Sequence, residues 1–290
     1  MFERRAYLLD MTRRVPTMRT VQELVDILAR YRYNEFRPFV EKDFPELLDW
    51  GKVGAYCEMQ GLNMIKTTRD DFEELFVRAE YAIVSTEAER SLAGRVEEMR
   101  EQMIRVEQQG RMRKAKGFLV TDFTDDCAWQ PLCVSLPGII MGGNFASGGA
   151  KSSMMDLEKE LDRVLDAPLG GLLLRLGTLY LRGGAVREHC SELFNILSHD
   201  VGYSRHPGLT QFVLDDISGV ARGVRIAAER WTERSDWAKE IVYAANLLDC
   251  ACHRRDEAML REVRDEHGHV WRARFCPEGR VESLARLPRF

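Results

Sequence analysis

The chain has no apolar run able to span a bilayer: its apolar stretch 167–181 is short, and Arg175 and several glycines interrupt it. The opening MFERRAYLLD is charged from its third residue and holds no secretory h-region, so no leader peptide is expected. The seven cysteines are odd in number and show no framework spacing, which predicts reduced thiols and a cytoplasmic protein. There is no excess of basic charge either. Lys and Arg total 42 against 46 Asp and Glu, for a net charge of −4, so no nucleic-acid partner is expected and no membrane-surface one. Internal repeats and low-complexity tracts are absent. What remains is ordinary globular material, 290 residues with 45% hydrophobic and 30% charged side chains. That suffices for one barrel, or for a smaller α/β domain plus a helical one.

The N-terminal third alternates between two periodicities. The run 6–11 (AYLLDM) is a candidate buried strand, and Pro16 and Thr17 turn the chain. Thr20 and Glu23 have capping-box spacing. Val21, Leu24, Val25 and Leu28 then form one helical face at i, i+3, i+4 and i+7. A second strand is expected over 33–41, although Pro38 within it cannot donate to a ladder. A helix over 47–59 and a short strand over 62–65 follow. Strand, helix, strand, helix, strand predicts parallel pairing with right-handed crossovers. Residues 70–114 read as charged helix, with apolar stripes Phe72, Leu75, Phe76, Ala79 and Val96, Met99, Met103, Val106. The next strand is expected at 117–122 (GFLVTD), followed by a loop and a glycine-rich stretch over 139–149. From 156 onward only helices are expected.

Three blocks carry a family resemblance. Asp10-Met11-Thr12-Arg13 followed by Val15-Pro16-Thr17-Met18 is similar to an Asp-x-Ser-Arg strand end leading through proline into a helix. Tyr33-Asn34 through Glu41-Lys42-Asp43-Phe44 looks like the next strand and its exit loop. Gly117 to Phe123 with Trp129-Gln130-Pro131-Leu132 resembles a Thr-Asp-Trp-Gly-Asp strand end followed by His-Trp-Gln-Pro, with Phe123 in place of the usual Trp and Ala128 in place of the usual His. Together they resemble the family 20 glycoside hydrolases, the β-N-acetylhexosaminidase-like barrels, and residues 271–287 resemble that family's last helix. The resemblance implies an α/β fold: an incomplete (β/α) TIM-barrel-like domain over 1–150, followed by an all-α C-terminal domain over 151–290. It implies a terminal N-acetylhexosamine-containing carbohydrate as ligand, with Arg13, Glu41, Asp122, Asp125 and Trp129 lining the sugar site. Arg13 would hold sugar hydroxyls, and Trp129 would be a platform for an apolar sugar face.

One departure outweighs these matches. The family's His-x-Gly-x-Asp-Glu motif, whose Glu is the general acid, has no counterpart; Asp256-Glu257 and Asp265-Glu266 lie in charged helical stretches. The resemblance therefore implies an internal truncation and a pseudoenzyme with weak or no hydrolysis, the catalytic residues unknown. A sheet with too few strands to close exposes backbone at its edges, and a homodimer completing the barrel is one way to cover them. The alternative is a non-catalytic interaction or oligomerisation protein that uses its helical half. Neither reading calls for a cofactor or a metal. Cys250, Cys252 and His253 do not converge on one helix face as zinc ligands do, and His267 with His269 is no better placed. Asp122, Asp125 and Asp126 suit sugar binding or an Asp-rich turn. The stretch 143–152 misses phosphate-loop spacing by two residues and reads as a glycine-rich linker. Trp231 and Trp237 read as helix-packing anchors.

Overall fold

The structure is a computed structural model that describes residues 1–290 except 42–46, 126, 149–155, 185, 188, 200–205, 254–255 and 288–290. Five parallel strands form its sheet: β1 (Arg4–Asp10), β2 (Glu35–Phe39), β3 (Asn63–Met64), β4 (Tyr81–Ser85) and β5 (Gly117–Asp122), in the order β3-β2-β1-β5-β4. Side chains alternate across it. Tyr7, Leu9, Phe36, Phe118 and Val120 enter the main core, whereas Ala6, Leu8, Tyr81 and Leu119 enter a smaller one on the opposite face. Both faces are covered, as a parallel sheet requires.

On the main face lie α1 (Met18–Arg30), α2 (Trp50–Met59) and α4 (Val96–Met112), whose Val21, Leu24, Val25, Leu28, Val53, Met99 and Met103 join the main core. The predicted face of α1 is the buried one. Its cap differs from expectation. Thr17, not Thr20, accepts from the Thr20 N–H, while Glu23 reaches Arg274 instead of its own helix start. Pro38 sits inside β2 at no cost to the pairing with β1, because its carbonyl, and hence its missing N–H, faces the short edge strand, where Thr67 donates to it at 2.9 Å.

Helix α3 (Arg69–Arg78) leads from β3 at one end of the order to β4 at the other, and its Phe72 and Leu75 pack on the smaller core. This reverses the direction of travel across the sheet. A right-handed crossover then requires the helix to change faces. The expected continuous helix over 70–114 is therefore corrected: β4 lies inside it. The chain leaves α3 at Ala79 in the left-handed region (φ 50°), a position where glycine would have signalled the break.

Beyond β5 a 3-10 turn (Leu132–Ser135) leads into α5 (Leu136–Gly148). The expected glycine-rich linker is thus a buried helix up to Gly148, and the remainder of that stretch lies outside the described residues. Its glycines let it lie against the sheet. A Cβ at Gly142 would come within 2.3 Å of the Val120 side chain, and one at Gly143 within 2.4 Å of the Tyr31 carbonyl. The C-terminal part comprises α6 (Leu157–Leu165), α7 (Gly170–Leu176), α8 (Glu192–Ser198), α9 (Gln211–Glu229), α10 (Asp236–Cys252), α11 (Glu257–Arg274) and α12 (Arg280–Arg286). The expectation of helices alone needs a second correction: β6 (Val186–Arg187) and β7 (Cys190–Ser191) form a small antiparallel hairpin. One apolar cluster runs through both parts, from Phe2 to Leu287. No single helix among the described residues is long and apolar enough to cross a membrane.

Candidate functional site

Parallel strands deliver their following loops to one end of the sheet, where ligand sites of α/β folds are usually built. Here the loops after β1, β2, β4 and β5, together with α3, enclose an open cleft of about 640 Å³. Its polar lining includes Arg13 and Glu41 after β1 and β2, Glu89 and Arg90 after β4, and Asp125 after β5. Its floor is aromatic. Phe72 meets Phe39, Phe76 and Phe123 edge-on at centroid distances of 5.9, 5.0 and 5.3 Å.

The loops are held by carboxylates at the strand ends. Asp10 accepts from the backbone N–H and hydroxyl of Thr12 at 2.9 and 2.7 Å, and from the Thr124 N–H at 3.1 Å. It thereby ties the β1 exit, which carries Arg13, to the β5 exit. Asp125 accepts from the N–H groups of Arg90, Cys127 and Ala128 at 3.1, 2.8 and 2.8 Å. Burial pushes the Asp125 carboxyl above its ordinary range, and those three donors oppose the shift. Asp125 thus borders the cleft while organising the loop beneath it.

Glu89 is the acid that sequence reasoning missed. Burial raises its carboxyl above the usual range; Arg90, at 3.8 Å, opposes this, and Asp125, Asp10 and Glu87 reinforce it. The signal was its place just beyond a strand. That strand, β4, was hidden within an apparently helical stretch.

Of the five expected site residues, Arg13, Glu41 and Asp125 line this one cleft, and Arg13 also borders a smaller cleft of about 320 Å³ beside α12. Asp122 and Trp129 are placed elsewhere. Asp122 is 1% exposed and points to the main-core side of β5, where it accepts from Tyr7 (2.6 Å), Ser135 (2.9 Å) and Thr86 (3.0 Å). Trp129, also 1% exposed, donates from its indole to the Ser283 carbonyl at 3.2 Å and packs on Phe194, so it offers no platform to a ligand. The aromatic surface at the cleft comes from Phe39, Phe72, Phe76 and Phe123 instead. Asp126 and the segment Lys42-Asp43-Phe44 lie outside the described residues.

The other sequence candidates are structural. All seven cysteines are free thiols, and burial pushes Cys250 and Cys252 up to about 12, which disfavours the thiolate that a metal would need. His267 is enclosed between the hydroxyls of Tyr243 and Ser283 at 2.8 and 3.0 Å. Trp237 is covered by the Arg274 guanidinium, 3.8 Å from its ring centre. In chemical terms, the cleft offers guanidinium donors and carboxylate acceptors around an aromatic floor. Compared with known proteins, the chain matches no family model and no curated protein sequence.

Proposed function

We propose that this protein binds a carbohydrate, with a terminal N-acetylhexosamine as ligand class, and that it is a weakly active or inactive relative of the family 20 glycoside hydrolases. One observation carries the reading: Arg13, Glu41 and Asp125, three of the five residues the resemblance assigns to a sugar site, line one cleft at the C-terminal ends of parallel strands, above four phenylalanines. Arg13 supplies a planar fork of donors for vicinal hydroxyls, and the rings supply a surface for the C–H face of a pyranose.

The topology supports the same reading. The segment that resembles a barrel's last strand, β5, pairs with β1 along Arg4–Leu9, and β1 pairs on its other side with β2. First-to-last pairing is what barrel closure demands, and the order β3-β2-β1-β5-β4 equals an arc of a (β/α) barrel with middle strands removed. Helix α3 then occupies the face that a complete barrel would enclose. The missing Asp-Glu motif argues that bond cleavage has been lost while part of the binding surface remains.

The test is a thermal-shift titration with N-acetylglucosamine and its thiazoline analogue, alongside turnover of a chromogenic N-acetylglucosaminide. Stabilisation by the thiazoline, abolished in Arg13→Ala, with negligible turnover, is expected. A cooperative melt that neither ligand moves would refute carbohydrate binding, and efficient turnover would refute the loss of catalysis.

A further inference from the structure

Beside the cleft, the loop after β4 meets the hairpin β6–β7 and the first turn of α4. Ser191 of β7 donates to the Arg90 carbonyl at 2.9 Å, which anchors the hairpin to that loop. The hairpin turn carries His189, the loop carries Glu87, and α4 carries Glu98. One ligand-type atom from each lies within 4.8 Å of the other two. We propose that Glu87, Glu98 and His189 bind one divalent transition-metal cation.

Two observations point to a cation. The first is unmet hydrogen-bonding capacity. The Glu87 side chain is wholly buried, yet its Oε1 has no hydrogen-bond donor. A carboxylate oxygen taken out of water without a donor is costly, and a cation held beside Glu87 Oε1 satisfies it. The second is spacing. His189 Nδ1 lies 3.3 Å from Glu87 Oε1 without hydrogen-bond alignment. Two ligands bound tetrahedrally at about 2.0–2.1 Å from one metal stand about 3.3 Å apart. Facing atoms at that separation fit a shared third atom.

Arg95 defines what kind of site this is. It pairs with Glu87 through Oε2, the oxygen not facing His189, and lies 3.2 Å from Glu98 Oε2. Its guanidinium fixes the Glu87 carboxylate from behind, as outer-shell partners of metal ligands do. It also cancels one of the two carboxylate charges, which leaves a net single negative charge for a cation to meet. One imidazole and two carboxylates suit zinc or manganese; with no thiolate in the set, soft ions are disfavoured. The His189 side chain is 59% exposed, so an ion has a path in and room for water ligands.

The experiment is calorimetric titration of the chelator-treated, full-length protein with zinc chloride and, separately, manganese chloride. His189→Ala and Glu98→Gln serve as variants, because neither removes the buried Glu87–Arg95 pair. One equivalent of at least one ion is expected to bind, with affinity reduced about tenfold or more in each variant. Absence of saturable binding by the unaltered protein, or binding undiminished in either variant, would overturn the proposal. The outcome is independent of the sugar titration, since neither variant changes a residue that lines the cleft.

Discussion

His267 shows how a buried residue sets a property of the whole protein. Its ring is enclosed by hydroxyls from α10 and α12, and burial lowers its pKa from 6.5 to about 3, with Arg14, Arg264 and Arg280 acting in the same direction. The unfolded chain takes up a proton near pH 6.5 and the native protein does not. The stability that neutral His267 contributes is therefore fully present above pH 6.5 and is lost as the pH drops from 6.5 toward 3, by about 1.4 kcal/mol per pH unit from this residue alone. Urea unfolding at pH 7 and pH 5 checks this: the loss between the two should shrink in His267→Gln. An unchanged difference would mean that other groups carry the acid sensitivity. None of this was visible in the spacing of His267 and His269, because a histidine's neighbours come from elements remote in sequence.

At the scale of elements, glycine marks where helices touch the sheet. Gly142 on α5 has the Val120 side chain where a Cβ would sit, and the Tyr33 hydroxyl at 2.7 Å. Gly142→Ala should cost about 1–3 kcal/mol through overpacking. Gly219 and Gly223 on α9 have open space around them, so alanine at either should add about 0.5–1 kcal/mol. Opposite signs in denaturant titrations would establish that α5 packs directly on the strands; a neutral Gly142→Ala would not fit that packing. The contrast also explains why 139–149 reads as a linker. A window of glycines has the same composition in a loop and in a helix that must approach a sheet closely. The period-3.6 face of α1 and the apolar runs of β1 and β5 were legible because burial on one side imprints a pattern. β4 was not, since its five residues lie between charged helices and no glycine or proline separates it from α3.

At the scale of the molecule, a buried network joins the N-terminal and C-terminal parts. Arg274 at the end of α11 pairs with Glu240 on α10 and Glu23 on α1, and stacks on Trp237. The other oxygen of Glu240 accepts from the Cys133 N–H at 2.7 Å. Arg274→Met would leave Glu240 buried without its counter-charge, at a cost of about 3–5 kcal/mol. The double variant with Glu240→Gln should recover part of that loss, because the uncompensated charge is then gone. Calorimetry of both variants decides it, and an unaltered melting temperature in Arg274→Met would show that the network adds nothing to stability.

Local pattern by itself determined the parallel βαβ opening, the apolar face of α1 and the β5 segment, while Arg13, Glu41 and Asp125, which border the cleft, were expected from the family resemblance. Each rests on periodicity or on a motif confined to a few neighbouring residues. Tertiary structure decided what local pattern does not encode: that Asp122 and Trp129 turn into the core, that Glu89 reaches the cleft, and that α3 crosses to the second face of the sheet. It alone brings His189 to Glu87 and Glu98. The physical reason is the same throughout. A strand or a helix face is selected by the side chains along it, whereas the exposure, hydrogen bonding and charge of a loop residue depend on which distant element covers it.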